Sequence, residues 1–192
     1  PVIMQFPYKI DPEDTILTLS DRLNALAYSS SCKLGETLIL GDIPRGVLQD
    51  GLSSNTWRKR DRYDVLIDFR MNGDDILALV RSFVDPYPCA SFIYENHYFN
   101  VLSGEKTQPE SPVPLQFFEP GYVFKVDRDL LYVKTTSDVL RLRTKQNVEK
   151  ILGVKPILIH WQLLNINSNI YKKYAGKIIN TKNTDEFNNL LK

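Results

Sequence analysis

The sequence predicts a chain that begins as α/β and finishes as a small all-β unit, and three observations carry this. The first is an amphipathic helix ending in a proline corner: Asn72 is a good N-cap, Asp74 and Asp75 face the positive end of the helix dipole, and Ile76, Leu79, Val80 and Phe83 recur at helical spacing. Pro86 forbids continuation and pushes Asp85 towards an extended conformation, so the helix is expected to end by about Val84. The second is the change of pattern beyond Pro86 and Pro88, where Ala90 to Tyr94 turns aromatic and β-branched. The third is a series of short β runs, Gly121 to Val126, Leu130 to Lys134 and Val139 to Leu142, at the roughly 8–12-residue spacing of a small barrel or sandwich.

Composition sets the outer limits. The chain has 192 residues, 43% of them hydrophobic and 24% charged, which is enough apolar material for one or two packed cores and excludes a disordered tail. A formal net charge of +1 gives no general field for polyanions, so nucleic-acid binding is not expected without a local patch. No apolar run approaches the roughly 20 residues that span a bilayer and no basic-then-apolar leader opens the chain, so a cytoplasmic protein without a membrane partner is expected. Cys32 and Cys89 lack a CxxC and a neighbouring histidine pair, which favours two buried or half-buried thiols over a disulfide or a metal site.

Taken in order, Pro1 to Ile10 reads as an edge strand that starts without a lead-in, so the chain is expected to be a fragment or a cut domain. Asp14 or Thr15 then caps a helix whose stripe of Ile16, Leu19, Leu23, Leu26 and Ala27 is expected to cover a sheet, with a polar break at Ser29 to Ser31 and a short apolar element at Leu34 to Leu40. From Gly41 to Arg62 the pattern dissolves into a loop of functional length. There Trp57 is interleaved with Arg45, Arg58, Lys59, Arg60 and Arg62. A flat ring beside several guanidinium groups suits an anionic, aromatic-bearing ligand, and a solvated basic loop anchored by one Trp is the bland alternative.

Beyond the corner, Glu95-Asn96 reads as a tight hairpin turn in which Asn tolerates positive φ, joining Ser91 to Tyr94 with His97 to Val101. Ser103 to Pro114 is expected to be a polar loop. In the tail, Asn147 to Leu152 is expected to be a short helix, Pro156 to Leu163 a strand and Asn183 to Leu191 a final helix.

Little in the chain could perform chemistry. His97 and His160 have no nucleophile or base beside them in the sequence, and the scattered Cys and His give no zinc spacing. No Gly-rich phosphate loop is present, and the pairs Asp74-Asp75 and Asp127/Asp129 are accounted for by helix capping and turn chemistry.

The corner also carries a resemblance. Arg81 in the last helical turn, then Asp85-Pro86-Tyr87-Pro88 and a small residue before an aromatic strand, resembles the helix and linker that follow the catalytic domain of folate-dependent formyltransferases. Ile67-Asp68-Phe69 resembles that family's Ile-Asp-Trp, with Phe69 in place of the Trp. Val2-Ile3-Met4-Gln5 resembles the strand that follows its Asp-x-Gly, and Pro120 to Val123 with Val139 to Leu142 resembles the motif pair of its oligonucleotide-binding-like (OB-like) barrel. The similar stretch covers about three quarters of the chain, Pro1 to Gln146.

The resemblance implies a fold and a function. Residues 1–84 are expected to close a Rossmann-like catalytic domain with a substrate-side loop at 44–62, residues 85–146 to form the OB-like barrel, and residues 147–192 to be a tail of unknown role. It implies transfer of a formyl group from formyltetrahydrofolate to an amine, using an upstream Asn, His and Asp that have no counterpart here, so no catalytic residue is expected in this chain. Gln49, Trp57, Arg58 and Lys59 match a substrate-side motif of members acting on nucleotide-linked amino sugars, with Trp57 replacing a more usual Tyr, and that acceptor is the first expectation. Methionyl-tRNA is the second, set back by Asp127, Asp129 and Asp138 on the barrel, and a non-catalytic nucleotide- or partner-binding module is the third. A second copy of the chain stays open as a partner.

Overall fold

Helix α2 (Gly73–Ser82) forms where the pattern requires it and is held at both ends by its own sequence. Asn72 caps it, its side-chain carbonyl accepting from the Asp75 N–H at 2.9 Å, while the Asn72 amide donates to the Asp75 carboxylate at 2.6 Å. Phe83 closes it, and the chain turns through a cis Asp85–Pro86 peptide into strand β1 (Ser91–Tyr94). The computed structural model describes residues 1–49, 51, 62–95, 97–109, 111, 113–153 and 159. Expectations for Pro156 to Leu163, apart from Ile159, and for Asn183 to Leu191 lie outside these residues.

Strands β1, β2 (His97–Thr107), β3 (Val123–Asp127), β4 (Leu130–Lys134) and β5 (Val139–Thr144) build one antiparallel sheet in the order β1-β2-β5-β4-β3. Irregular register between Val101 and Ser103 and between Val123 and Lys125 marks bulges, which increase twist and curl the sheet. Segment Val65–Ile67 lies parallel beside β1, with Ile67 N–H donating to Ser91 O and Ser91 N–H to Val65 O. A short helix α3 (Val148–Leu152), capped by Asn147, follows β5 and buries Val148 against the sheet.

Inside the curl lies one hydrophobic core. Phe92 and Phe99 are cross-strand partners with stacked rings 4.9 Å apart, and Phe69 tilts onto Phe92 at 5.7 Å. Helix α2 adds Ile76, Leu77 and Val80 to the same core as Leu131, Val133, Leu140 and Leu142 of the sheet. The boundary expected at residue 84 therefore runs through a shared core. The helix comes this close because β2 carries Gly104, where a Cβ would stand 2.9 Å from Leu77 Cδ2 and 2.6 Å from Leu142 Cδ2.

Several local expectations differ from the structure for identifiable reasons. Helix α1 (Ile16–Ile39) runs straight through the expected break at Ser29 to Ser31, because the Ser30 and Ser31 hydroxyls donate back to the carbonyls of Leu26 and Ala27 four residues earlier. Among the described residues its stripe covers no sheet: none of its residues is buried, and the rings of Tyr8 and Phe6 lie beside its Arg22 and Lys33. Pro1 to Ile10 forms only an isolated bridge, Val2 to Val47, because no further strand among the described residues pairs with it. Strand β2 continues through Ser103 to Thr107, where a loop was expected, since β5 pairs with it while its outer face meets water. At the β1–β2 turn Glu95 has a φ of +46°, and Asn96, where a positive φ was expected, lies outside the described residues. Cys32 is exposed and Cys89 buried, and both are free thiols.

Two interactions fix the sheet to its surroundings. Asp138, in the β4–β5 turn, receives the Ser137 hydroxyl, stands 3.4 Å from Lys106 Nζ on β2 and accepts from the Gly73 N–H at the start of α2. The Ser137 bond, then the Lys106 charge and the Gly73 N–H, hold its carboxyl below the usual carboxylate range against the opposing effect of burial. Gly121, at φ +94°, lies so close to the Ile159 carbonyl that a Cβ there would collide with it.

Two predictions follow from these contacts. Gly121→Ala is expected to destabilise the protein more than Gly153→Ala, which meets open space at φ +75° and carries only the backbone cost of about 1–3 kcal/mol. Urea unfolding of both variants compares them, and equal losses would remove the close approach from the account. For Asp138, a depressed folded pKa means its stabilisation is complete above the unfolded value of about 4 and is lost as pH falls through the folded value. Asp138→Asn is expected to flatten the fall of the urea midpoint between about pH 5 and pH 2 relative to the parent chain, and parallel curves would count against it.

Candidate functional site

The residues expected to bind substrate are not brought together by the described structure. Gln49 is exposed beyond the Val2–Val47 bridge, and Trp57, Arg58 and Lys59 lie outside the described residues. His97 is exposed at the start of β2, its Nδ1 3.0 Å from the Glu95 carbonyl. Among the described residues no cluster of His, Cys, Asp or Glu could hold a metal ion, and no helix is long and apolar enough to cross a membrane.

What the fold does assemble is an open cleft at the proline corner, with a volume of about 480 Å³. The corner supplies Asp85, Pro86, Tyr87, Pro88 and Cys89, strand β2 supplies Tyr98 and Asn100, and Arg62 and Lys145 enter from opposite sides in the sequence. Alternation explains the β2 contribution: Phe99 and Val101 point into the core, so Tyr98 and Asn100 share the opposite face. Lys145 is placed by backbone, because its N–H donates to Asn100 O at 2.8 Å while the Asn100 N–H donates to the Gln146 side chain at 2.9 Å.

The cleft combines exposed rings with cations. Tyr87 and Tyr98 keep 49% and 38% of their surface exposed although large aromatic rings normally seek burial. The Arg62 guanidinium lies 5.6 Å from the Tyr98 ring centre and 5.2 Å from that of Tyr63, and its Nη2 donates to the Tyr63 hydroxyl at 3.2 Å, so planar donors are ordered beside an aromatic face. Lys145 Nζ stands 3.4 Å from Asp85 Oδ1, with both side chains more than half exposed. Such a pair contributes at most about 1 kcal/mol and leaves Lys145 able to turn to another anion. The described lining brings cations, exposed rings and an amide together, groups that bind anions and flat rings.

Sequence reasoning singled out Tyr87 only as the centre of the corner and passed over Tyr98, Asn100 and Lys145. The i, i+2 relation of Tyr98 and Asn100 was the available signal. Lys145 could not be joined to Asp85, 60 residues away, without the sheet.

Comparison with known proteins agrees with this architecture. A methionyl-tRNA formyltransferase of Blochmanniella floridana is 26% identical over 175 residues, covering 91% of this chain and 52% of that protein. Another, of Colwellia psychrerythraea, is 23% identical over 178 residues, covering 81% and 53%. This chain spans about half the length of the curated relatives it matches. A crystal structure of a HypX variant from Aquifex aeolicus overlaps 65% of this chain and 23% of its own at 17% identity, with a TM-score of 0.43. The family model described as formyl transferase, C-terminal domain, matches residues 60–158, more than half of the chain and the span of α2, the corner and the whole sheet. The chain belongs to the formyl transferase C-terminal domain family.

Proposed function

We propose that this chain is the C-terminal part of a formyltransferase whose acceptor is methionyl-tRNA. The observation that supports this acceptor is the name shared by the relatives that align along 79–91% of the chain. The nucleotide-linked amino sugar, the first expectation, has no such support: none of the relatives reported above carries that name, and Trp57, Arg58 and Lys59 lie outside the described residues.

Two of the three carboxylates that counted against RNA, Asp129 and Asp138, weigh less once their partners are known. Asp138 is occupied by Ser137, Lys106 and the α2 N-terminus, and Asp129 stands 3.5 Å from Arg143 Nε. Neither acts as an isolated negative charge on the surface. Along the outer face of the sheet Lys125, Tyr132 and Arg141 are cross-strand neighbours on β3, β4 and β5, with the Lys125 ammonium 5.6 Å from the Tyr132 ring centre. Arg141 is itself paired with Glu105 on β2 at 2.7 Å, so what this face offers a phosphate backbone is Lys125 beside the Tyr132 ring.

In this reading the chain holds the acceptor. Formyltetrahydrofolate is the formyl donor in this reading, and the upstream Asn, His and Asp that the resemblance implies position and polarise its formyl group. Helix α2 goes with the OB-like sheet, because Ile76, Leu77 and Val80 share its core.

Titration of this chain with methionyl-tRNA and with a nucleotide-linked amino sugar tests the acceptor. Binding of the tRNA is expected, weakening as salt rises, because each neutralised phosphate releases counterions. Binding of the amino-sugar nucleotide with none of the tRNA would overturn the reading.

A further inference from the structure

We infer that the cleft at the proline corner binds a single unpaired nucleotide, its base stacked on the Arg62–Tyr98 pair and its phosphate held by Lys145. This deepens the acceptor reading and rests on it only for the source of the nucleotide. The argument starts from size: about 480 Å³ lies within the range of roughly 300–1,000 Å³ for small-molecule sites and suits one base with its sugar and phosphate.

Chemistry narrows the ligand further. An aliphatic guest would leave the Asn100 amide and Lys145 without use, and a simple anion would leave the two exposed tyrosines without use. A nucleotide engages both sets. Bases stack on tyrosine rings and on guanidinium planes, and Arg62 is already held against Tyr98 and Tyr63, so little ordering remains to be done on binding.

The one acidic group in the lining does not exclude a phosphate. Asp85 stands 3.4 Å from Lys145 Nζ with its side chain more than half exposed, so water and salt screen its charge. Neither partner of the Asp85–Lys145 contact is buried, so a phosphate could recruit Lys145 at little cost. Asn100 offers side-chain donors and acceptors at the edge of a stacked base, while its backbone groups are occupied by Lys145 and Gln146. Because the ring face accepts any base, the site is expected to discriminate weakly among them.

The experiment uses this chain with a short single-stranded oligoadenylate and, separately, with adenosine monophosphate, followed by fluorescence anisotropy and calorimetry. Tyr98→Ala is expected to weaken oligoadenylate binding roughly ten-fold or more, whereas Tyr98→Phe, which keeps the ring, is expected to retain it. Lys145→Gln is expected to lower the slope of log affinity against log salt by about 0.7. Thermal melts of the three variants separate loss of binding from loss of fold, and Tyr98→Phe keeps the comparison informative if Tyr98→Ala unfolds. Weakening of both ligands supports a site that accepts a free nucleotide, and weakening of the oligonucleotide alone supports a nucleotide presented by a strand. Oligoadenylate affinity unchanged in Tyr98→Ala and Lys145→Gln, or no binding of either ligand to the parent chain, overturns the proposal. Should methionyl-tRNA bind with the cleft variants indistinguishable from the parent, the cleft assignment falls and the acceptor reading stands. Should tRNA fail while oligoadenylate binding depends on Tyr98, the reverse holds.

Discussion

Everything near the corner depends on how closely helix α2 can approach strand β2. With Gly104 beneath it, Leu77 and Leu142 meet where any side chain on the strand would hold the helix away. That approach buries Ile76 and Val80 completely, and side chains of this size contribute roughly 1.5–3 kcal/mol each when removed from water. The same approach sets the start of α2 over the β4–β5 turn, where Asp138 meets the Gly73 N–H at the positive end of the helix. Lys106 then joins both sides, lying 2.8 Å from Asp74 on the helix and 3.4 Å from Asp138 on the turn. The apolar contact fixes the distance and the charges fix the rotation.

With α2 positioned, the corner has few places to go. Phe83 accepts the Ala90 N–H at its carbonyl, and Ser91 bonds to Val65 and Ile67, so the segment from Asp85 to Cys89 is gathered into a short arc beside β1. The face of β2 that carries Tyr98 and Asn100 forms the opposite wall. The cleft is thus a consequence of packing on the other side of the sheet: Phe92 and Phe99 stack inward, and their neighbours along the strands are left facing out.

Legibility followed the range of the interaction. The cap at Asn72, the stop before Pro86, strand β4 and the short helix that ends at Leu152 are decided by residues within a few positions of one another, and all could be read from the sequence. Phe69 could be read as an aromatic, and its ring packs on Phe92. Ser103 to Thr107 could not, because polar residues on the wet face of a strand look like a loop until the partner β5 is known. Ser29 to Ser31 misled for a different reason: serine has a local alternative to helix, and here its hydroxyls bond within the helix. The cleft was illegible because Arg62, Asp85, Tyr98 and Lys145 are spread over more than eighty residues and meet only through the sheet order.

Counting charges along the chain and locating them lead to different expectations about partners. A net charge of +1, with aspartates at 127, 129 and 138, argues against a polyanion when every charge is given equal weight. In the folded protein the weights differ. Asp138 is held by an internal hydroxyl, a backbone N–H and Lys106, and Asp68 is satisfied by Arg70 next to it in space and sequence. Lys134 is buried and donates to the carbonyls of Thr135 and Thr136, so it adds nothing to the outer surface. Burial pushes its ammonium below the usual lysine range while Asp138 pulls the other way. What remains for a partner is a small number of accessible cations beside rings: Lys145, which lines the same cleft as the exposed Tyr87, and Lys125 beside the half-buried Tyr132. A nearly neutral chain can therefore offer local sites for a nucleotide strand without a field that would hold any polyanion, and the stacking rings make such sites selective for unpaired bases over duplex.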